Sequence, residues 1–290
     1  MGFFYQALKK ATGVATDAPE DASQSENGIG LAEPMAATAV APAPKARHKL
    51  NLKFPLESLV AFLTPPIDDQ NVNAMEHCRV LRARIWETLH SKNMKSLLMT
   101  SAMPGDGKTL LSVNLAFALS QIEHARILLV DVDMRRPSVS RFLNIVPDKG
   151  LNSFLQNGDS FDDVCWTISD SLDLVPTLPV EESSSELLHG KRMVEFLAQA
   201  KERYDIVLMD GPPLFPIVDA QVLAPLVDAA ILVVRAGKTP YDISRQAAEL
   251  LRPKFIGSIL NGAEQSKKSS YYGGYYRYGG PAAKKKNKQI

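Results

Sequence analysis

Cysteine is nearly missing from this chain: among 290 residues only Cys78 and Cys165 occur, far apart and outside any Cys-x-x-Cys or Cys/His spacing. That argues against a disulfide framework and against structural zinc, and a reducing cytosol is the expected setting. An excess of one charge is also lacking. Lys and Arg number 33 against 32 Asp and Glu, so bulk positive charge does not point to nucleic acid, and no nucleic-acid partner is expected. No stretch reaches the ~20 uninterrupted apolar residues of a membrane helix. The best runs, Leu110–Leu119 and Val222–Val234, are short, and the second contains Asp228. At the start, Lys9 and Lys10 follow the aromatic residues, the reverse of a secretory signal. Gln6 stands where a myristoylation signal needs Ser or Thr. A cytoplasmic protein is expected.

What is there divides into three parts. Residues 1–70 read as a flexible extension: residues 1–13 are open between a short amphipathic helix and a frayed terminus, and residues 14–47 are Ala, Pro, Ser and acidic residues without an apolar period, which bury too little surface to offset chain entropy. Residues 71–265 read as one folded domain, and 266–290 as a mobile tail of Gly, Ser, Lys and Tyr. Within the domain, Cys78, Leu81, Ile85 and Leu89 repeat at the spacing of one helix face. Apolar runs then alternate with helical patterns. Strands are expected at Ser96–Ser101, Ile127–Asp131, Leu172–Val175, Ile206–Asp210, Ala230–Val234 and Phe255–Leu260. Helices are expected at Gly107–Ser120, Glu186–Arg203 and Tyr241–Leu251, with shorter ones after Pro137 and around Leu151–Val164. Such alternation predicts an α/β fold, a mostly parallel sheet with helices on both faces. In that architecture ligands sit at the carboxyl ends of strands.

Three strand ends carry chemistry. The first runs from Ser101 into Ala102-Met103-Pro104-Gly105-Asp106-Gly107-Lys108-Thr109-Leu110 and opens a helix, the context a phosphate-binding loop requires. Gly105 and Gly107 let backbone N–H groups approach phosphate oxygens, and the helix presents its positive end to them. Lys108 supplies a compact cation and Thr109 a hydroxyl for Mg²⁺. Ala102 stands where the usual motif has its first glycine. The second strand ends in Asp131-Val132-Asp133, two carboxylates at i and i+2 expected on one face, followed by Arg135 and Arg136. The third ends in Asp210-Gly211-Pro212-Pro213. Carboxylates at buried strand ends need a compensating charge, and Mg²⁺ is the natural one.

Together PGDGKT, LLVDVDMRRP and YDIVLMDGPP resemble the bacterial tyrosine kinases of capsule and exopolysaccharide synthesis, a branch of the MinD/ParA class of P-loop proteins. The resemblance spans about residues 71–278. It implies a P-loop NTPase fold, ATP and Mg²⁺ as cofactors, and nucleotide contacts from Pro104 to Leu110. It also implies metal binding through Thr109, Asp131 and Asp210, and catalysis by Lys108, Asp131, Asp133 and Asp210. MinD/ParA proteins carry an additional lysine early in the loop, where this chain has Met103. Glu76, Arg79 and Arg82 match the ExxRxxR segment that makes subunit contacts in a ring, implying a homo-oligomer. Tyr271, Tyr272, Tyr275, Tyr276 and Tyr278 match the family's terminal cluster of phosphoacceptors, modified between or within subunits. A separate membrane-bound activator of the polysaccharide co-polymerase type and a cognate tyrosine phosphatase are the implied partners. The activator would hold the chain peripherally at the inner face of the plasma membrane. A MinD/ParA-type ATPase switch is the alternative reading.

Tyrosine's reference pKa of about 10 calls for a proton acceptor, with Asp133 the first candidate and Asp131 the second. Arg135 and Arg136 are open between stabilising transferred charge and forming structural ion pairs. Asn261 and Arg235 both sit at strand ends on the binding side, so either could face the adenine. From Glu264 onward the tail holds seven basic residues and one acidic residue. Five phosphates at about −1.5 to −2 each would reverse its sign. Phosphorylation is therefore expected to loosen an assembly or a contact with anionic surfaces.

Overall fold

A computed structural model describes residues 48–49, 69–179, 184–216 and 218–263. All of them belong to one unit, Pro44–Ile290. Most of the N-terminal extension, the tail from residue 264 and its five tyrosines lie outside the described residues.

Eight strands form one sheet: β1 (His48–Lys49), β2 (Ser96–Ser101), β3 (Ile127–Asp131), β4 (Trp166–Ser169), β5 (Leu172–Val175), β6 (Ile206–Asp210), β7 (Ala229–Arg235) and β8 (Phe255–Asn261). Their order is β1-β4-β5-β3-β6-β2-β7-β8, with every neighbouring pair parallel except β4–β5. The six expected strands are present within two residues of their expected bounds. Two others escape the sequence pattern. β4 offers only Trp166 and Ile168 as apolar residues, and β1 is two residues paired to it inside the 1–70 extension.

Alternation along the strands builds two cores. Leu97, Met99, Leu129, Leu208 and Ile231 face one side, where they join Ile85 and Leu89 of α1 (Asp69–Ser91) and Val113 and Phe117 of α2 (Lys108–Leu119). Leu98, Val130, Val207, Met209 and Leu232 face the other. That side is covered by short helices, α3 (Val139–Phe142) excepted: α4 (Leu151–Asn157), α5 (Phe161–Val164), α6 (Ser184–His189), α7 (Lys191–Arg203), α8 (Asp219–Leu223) and α9 (Tyr241–Leu250). With both faces buried, β2, β3, β5 and β6 are buried at every position and mostly apolar, which is why they read as near-continuous runs. The helix expected over Glu186–Arg203 is two helices. Gly190 takes an extended conformation (φ −69°, ψ 160°) and separates α6 from α7, consistent with the ~1 kcal/mol by which glycine disfavours a helix interior.

The chain leaves β2 for β3, two places away, and later returns through β6 to the slot between them before crossing β2 to β7. Connections therefore diverge around β2 and β6. A crevice forms at such a switch point, over the carboxyl ends of the strands. No helix among the described residues is long and apolar enough to cross a membrane.

At the opposite end of the sheet Asp228 ties three elements. Its Oδ2 accepts from the backbone amides of Lys95 and Ser96, both at 2.9 Å, and from Ser96 Oγ at 3.0 Å, while Oδ1 accepts from Lys201 Nζ at 2.8 Å. Burial disfavours its charge, but the Lys201 and backbone hydrogen bonds outweigh that and hold its pKa at about 2. A depressed carboxyl pKa gives stability that is fully present above the unfolded value near 4 and is lost as pH falls through about 2. Replacing Asp228 with Asn should therefore flatten the acid limb of a stability-versus-pH curve between about pH 4 and pH 2. Urea titrations at several pH values would read the change. An unaltered acid limb would show that this carboxylate is not a staple.

Candidate active site

The loop from Ser101 to Thr109 joins β2 to α2 at the switch point. Gly105 and Gly107 have φ of 86° and 93°, the left-handed region that disfavours a side chain. Gly107 is doubly constrained, because a Cβ there would lie 2.1 Å from Asn261 Nδ2. It also caps α2 without any side-chain hydrogen bond, which leaves the first-turn amides as an anion-binding end. Ala102, in place of the usual glycine, is fully buried, and its carbonyl accepts from the amide of Phe215 at 3.2 Å.

The loop is braced from behind. Asp106 Oδ2 accepts from the Met103 amide at 3.1 Å, and its Oδ1 accepts from Thr239 Oγ1 at 2.6 Å. Arg235 donates to the Gly105 carbonyl at 3.0 Å and Asn261 Nδ2 to the Asp106 carbonyl at 2.8 Å. The two strand-end residues left open as adenine neighbours thus both hold the phosphate loop.

Lys108 lies among the acidic strand ends. Its Nζ is 3.2 Å from Asp133 Oδ2 and 3.7 Å from Asp210 Oδ2. Thr109 Oγ1 donates to Asp210 Oδ2 at 2.7 Å, and Ser112 Oγ to Asp210 Oδ1 at 2.9 Å. Asp131 and Asp210 are register partners on β3 and β6. β3 ends at Asp131, while Val130, Val132 and Met134 at alternate positions share one core. Past that point, Asp131 accepts from the amides of Asp133, Ser138 and Val139 at 3.1, 2.9 and 3.0 Å, organising the turn into α3. Asp133 accepts from the Arg136 amide at 3.0 Å and reaches Lys108.

All three carboxylates are buried, Asp131 and Asp210 completely. Burial, then the Asp210 charge, pushes the Asp131 carboxyl up to about 8. Burial likewise raises Asp210, against the pull of Lys108 and the Thr109 and Ser112 hydrogen bonds. Burial would lower Lys108, but Asp210, Asp133 and Asp131 together raise it. With every carboxyl ionised, three negative groups face one ammonium, so the donor set fits a divalent cation carrying the two missing charges. Among the described residues no three His, Cys, Asp or Glu side chains are gathered closely enough to cage a metal alone. That suits an ion held by one or two protein oxygens together with phosphate and water.

Several participants have no signal in the motifs. Ser112 and Thr239 are ordinary polar residues whose roles depend on strands distant in sequence. Ser138 Oγ lies 2.9 Å from Thr109 Oγ1. Arg135 pairs through Nε with the buried Asp219 of α8 at 3.1 Å, and Ser185 also hydrogen-bonds Asp219, so Arg135 is in a structural ion pair. Arg136 is exposed. Of the residues expected at a subunit contact, Arg82 donates to the Ala118 carbonyl at the end of α2 at 3.4 Å and Arg79 is exposed. The Glu76 side chain lies outside the described residues. Two surface cavities, beside Ser185 and Val222 and beside Trp86 and Met94, lie away from the loop.

A strand, a two-glycine turn and a helix with Lys-Thr at its start, set against two acidic strand ends, define a P-loop nucleotide-binding domain. The AAA-domain family model matches residues 94–242. Beyond that class, the chain is 35% identical over 205 residues to the tyrosine-protein kinase YwqD of Bacillus subtilis, covering 69% of this chain and 85% of that one. The solved kinase domain of the Escherichia coli tyrosine kinase ETK matches with a TM-score of 0.64 and 28% identity, over 71% of this chain and 82% of that one. Pyrococcus horikoshii MinD, at 22% identity and a TM-score of 0.52 over 60% of this chain and 72% of that one, shares the fold. The chain belongs to the bacterial tyrosine-protein kinases of capsule and exopolysaccharide biosynthesis, and it binds nucleotide as that P-loop class does.

Gly107→Ala combines a strained φ with a collision against Asn261. It should weaken binding of a fluorescent ATP analogue at least tenfold while leaving the far-ultraviolet circular dichroism intact. Wild-type affinity in that variant would contradict the loop geometry.

Proposed function

We propose that the chain uses ATP and Mg²⁺ to phosphorylate its own C-terminal tyrosines, Tyr271, Tyr272, Tyr275, Tyr276 and Tyr278, and so regulates the polymerisation and export of a polysaccharide. The observation that carries this reading is Lys108 poised between Asp133 and Asp210 at the mouth of the phosphate loop. Pro104 to Leu110 hold the triphosphate. Lys108 moves from Asp133 to the phosphates, neutralising charge there and freeing the Asp133 carboxylate. Asp133 then accepts the phenol proton as oxygen attacks the γ-phosphorus, with Asp131 the alternative acceptor. Thr109 and Asp210, with Asp131 directly or through water, would hold the metal. Bound Mg²⁺ would supply charge neutralisation on the phosphate oxygens.

Homo-oligomerisation through the face of α1 carrying Glu76 and Arg79 brings one chain's tail to another's site, and a ring is the assembly this reading favours. The tail starts close enough: Tyr271 is ten residues on from Asn261, at most ~33–36 Å of extended chain. The match covers 29% of Escherichia coli Etk against 85% of YwqD, so Etk carries a large additional portion. For this chain the corresponding partner is a separate membrane-bound co-polymerase-type activator, which places it peripherally at the inner face of the plasma membrane. A tyrosine phosphatase resets the tail.

Purified chain with ATP and Mg²⁺ should gain phosphotyrosine in the 271–278 peptide. Lys108→Met should lower the rate by about 10²–10³ and Asp133→Asn by about 10²–10⁴, as read by mass spectrometry. Phosphate release without labelling, with the membrane activator also present, would support an ATPase switch instead.

A further inference from the structure

The chain has eight tyrosines. Tyr5 and the five of the tail lie outside the described residues; Tyr204 and Tyr241 are in the folded domain. Their surroundings are opposite. Tyr204 is 3% exposed, donates to Asp173 Oδ2 at 2.6 Å and lies beneath the Arg126 guanidinium. Burial raises its hydroxyl far above the usual range, so it is closed to an incoming phosphoryl group. Tyr241 is 78% exposed, and its phenol makes no hydrogen bond among the described residues.

Tyr241 is presented on a firm base. It opens α9, whose Ser244 bonds the Pro240 carbonyl through both amide and hydroxyl. Ala247 is buried in the core, and Ile243 packs against it. Two residues upstream, Thr239 holds Asp106 of the phosphate loop at 2.6 Å, so Tyr241 is at most ~7 Å of extended chain from the brace of the nucleotide site. The local field suits a phosphate. Lys238 precedes it and Arg245 follows one helical turn later, both exposed. Asp242 is the acidic neighbour that opposes them. The N-terminal end of α9 adds positive character, since Pro240 provides no side-chain cap.

We infer that Tyr241 is a second phosphoacceptor, in the folded domain rather than the tail, modified by another copy of this chain. In the step, the Tyr241 phenol oxygen bonds the γ-phosphorus of ATP, the bond to the β-phosphate oxygen breaks to release ADP, and the phenol proton passes to the acceptor carboxylate. The product places about −1.5 to −2 charges beside the Thr239–Asp106 contact. This inference rests on the kinase reading above, and the experiment separates the two.

The full-length chain with all five tail tyrosines changed to Phe is incubated with ATP and Mg²⁺ and its peptides are mapped by mass spectrometry. Phosphotyrosine is expected at Tyr241, and adding Tyr241→Phe should remove it. In a mixture with a Lys108→Met chain, the label is expected on Tyr241 of that inactive chain as well. An unlabelled Tyr241 alongside a labelled wild-type tail would overturn this inference alone. Label confined to the active chain would overturn transfer between copies. No phosphotyrosine anywhere in the wild-type chain would overturn the kinase reading together with it.

Discussion

An ammonium group held among three buried carboxylates is the constraint on which this structure turns. Lys108, Asp131, Asp133 and Asp210 come from three separate strand ends, and none could be buried alone without a cost of several kcal/mol. The sheet order makes the arrangement possible. β6 lies between β2 and β3, so the loop after β2 faces acidic ends from both following strands. Without nucleotide, Lys108 partly neutralises the carboxylates and keeps Asp133 occupied. In the proposed mechanism nucleotide competes for the same lysine, so that binding and activation of the proton acceptor would be one event.

Rigidity behind the loop serves that exchange. Arg235 at the end of β7, Thr239 in the turn after it and Asn261 at the end of β8 grip the loop through its carbonyls and Asp106. The fit is close enough that Asn261 leaves no room for a side chain at position 107. In the proposed mechanism phosphate affinity depends on backbone amides held in place, so a brace made of three side chains would be as much part of the site as the lysine.

Much of this was legible in the residues because fully covered parallel strands read as unbroken apolar runs, and carboxylates ending such runs are conspicuous. β4 was not legible. It is four residues long, and all but Ile168 are only half-buried, so it carries no run. The break at Gly190 was hidden because apolar residues continue at helical spacing through it. The different hydrogen-bond roles of Asp131 and Asp133 were not legible from their spacing, because they depend on the turn that follows the strand. The turn-forming amides then captured Asp131 and left Asp133 for the lysine. The loop brace was illegible because a threonine or asparagine gains its role only from contacts more than a hundred residues away.

Crystallography of the chain with Mg²⁺ and a non-hydrolysable ATP analogue tests the central claim most directly. The account predicts triphosphate oxygens on the amides of residues 104–109 and the metal beside Thr109 and Asp210. It also predicts Lys108 Nζ withdrawn from Asp133 to the phosphates. A triphosphate bound elsewhere, or Lys108 still paired to Asp133 beneath it, would contradict the account.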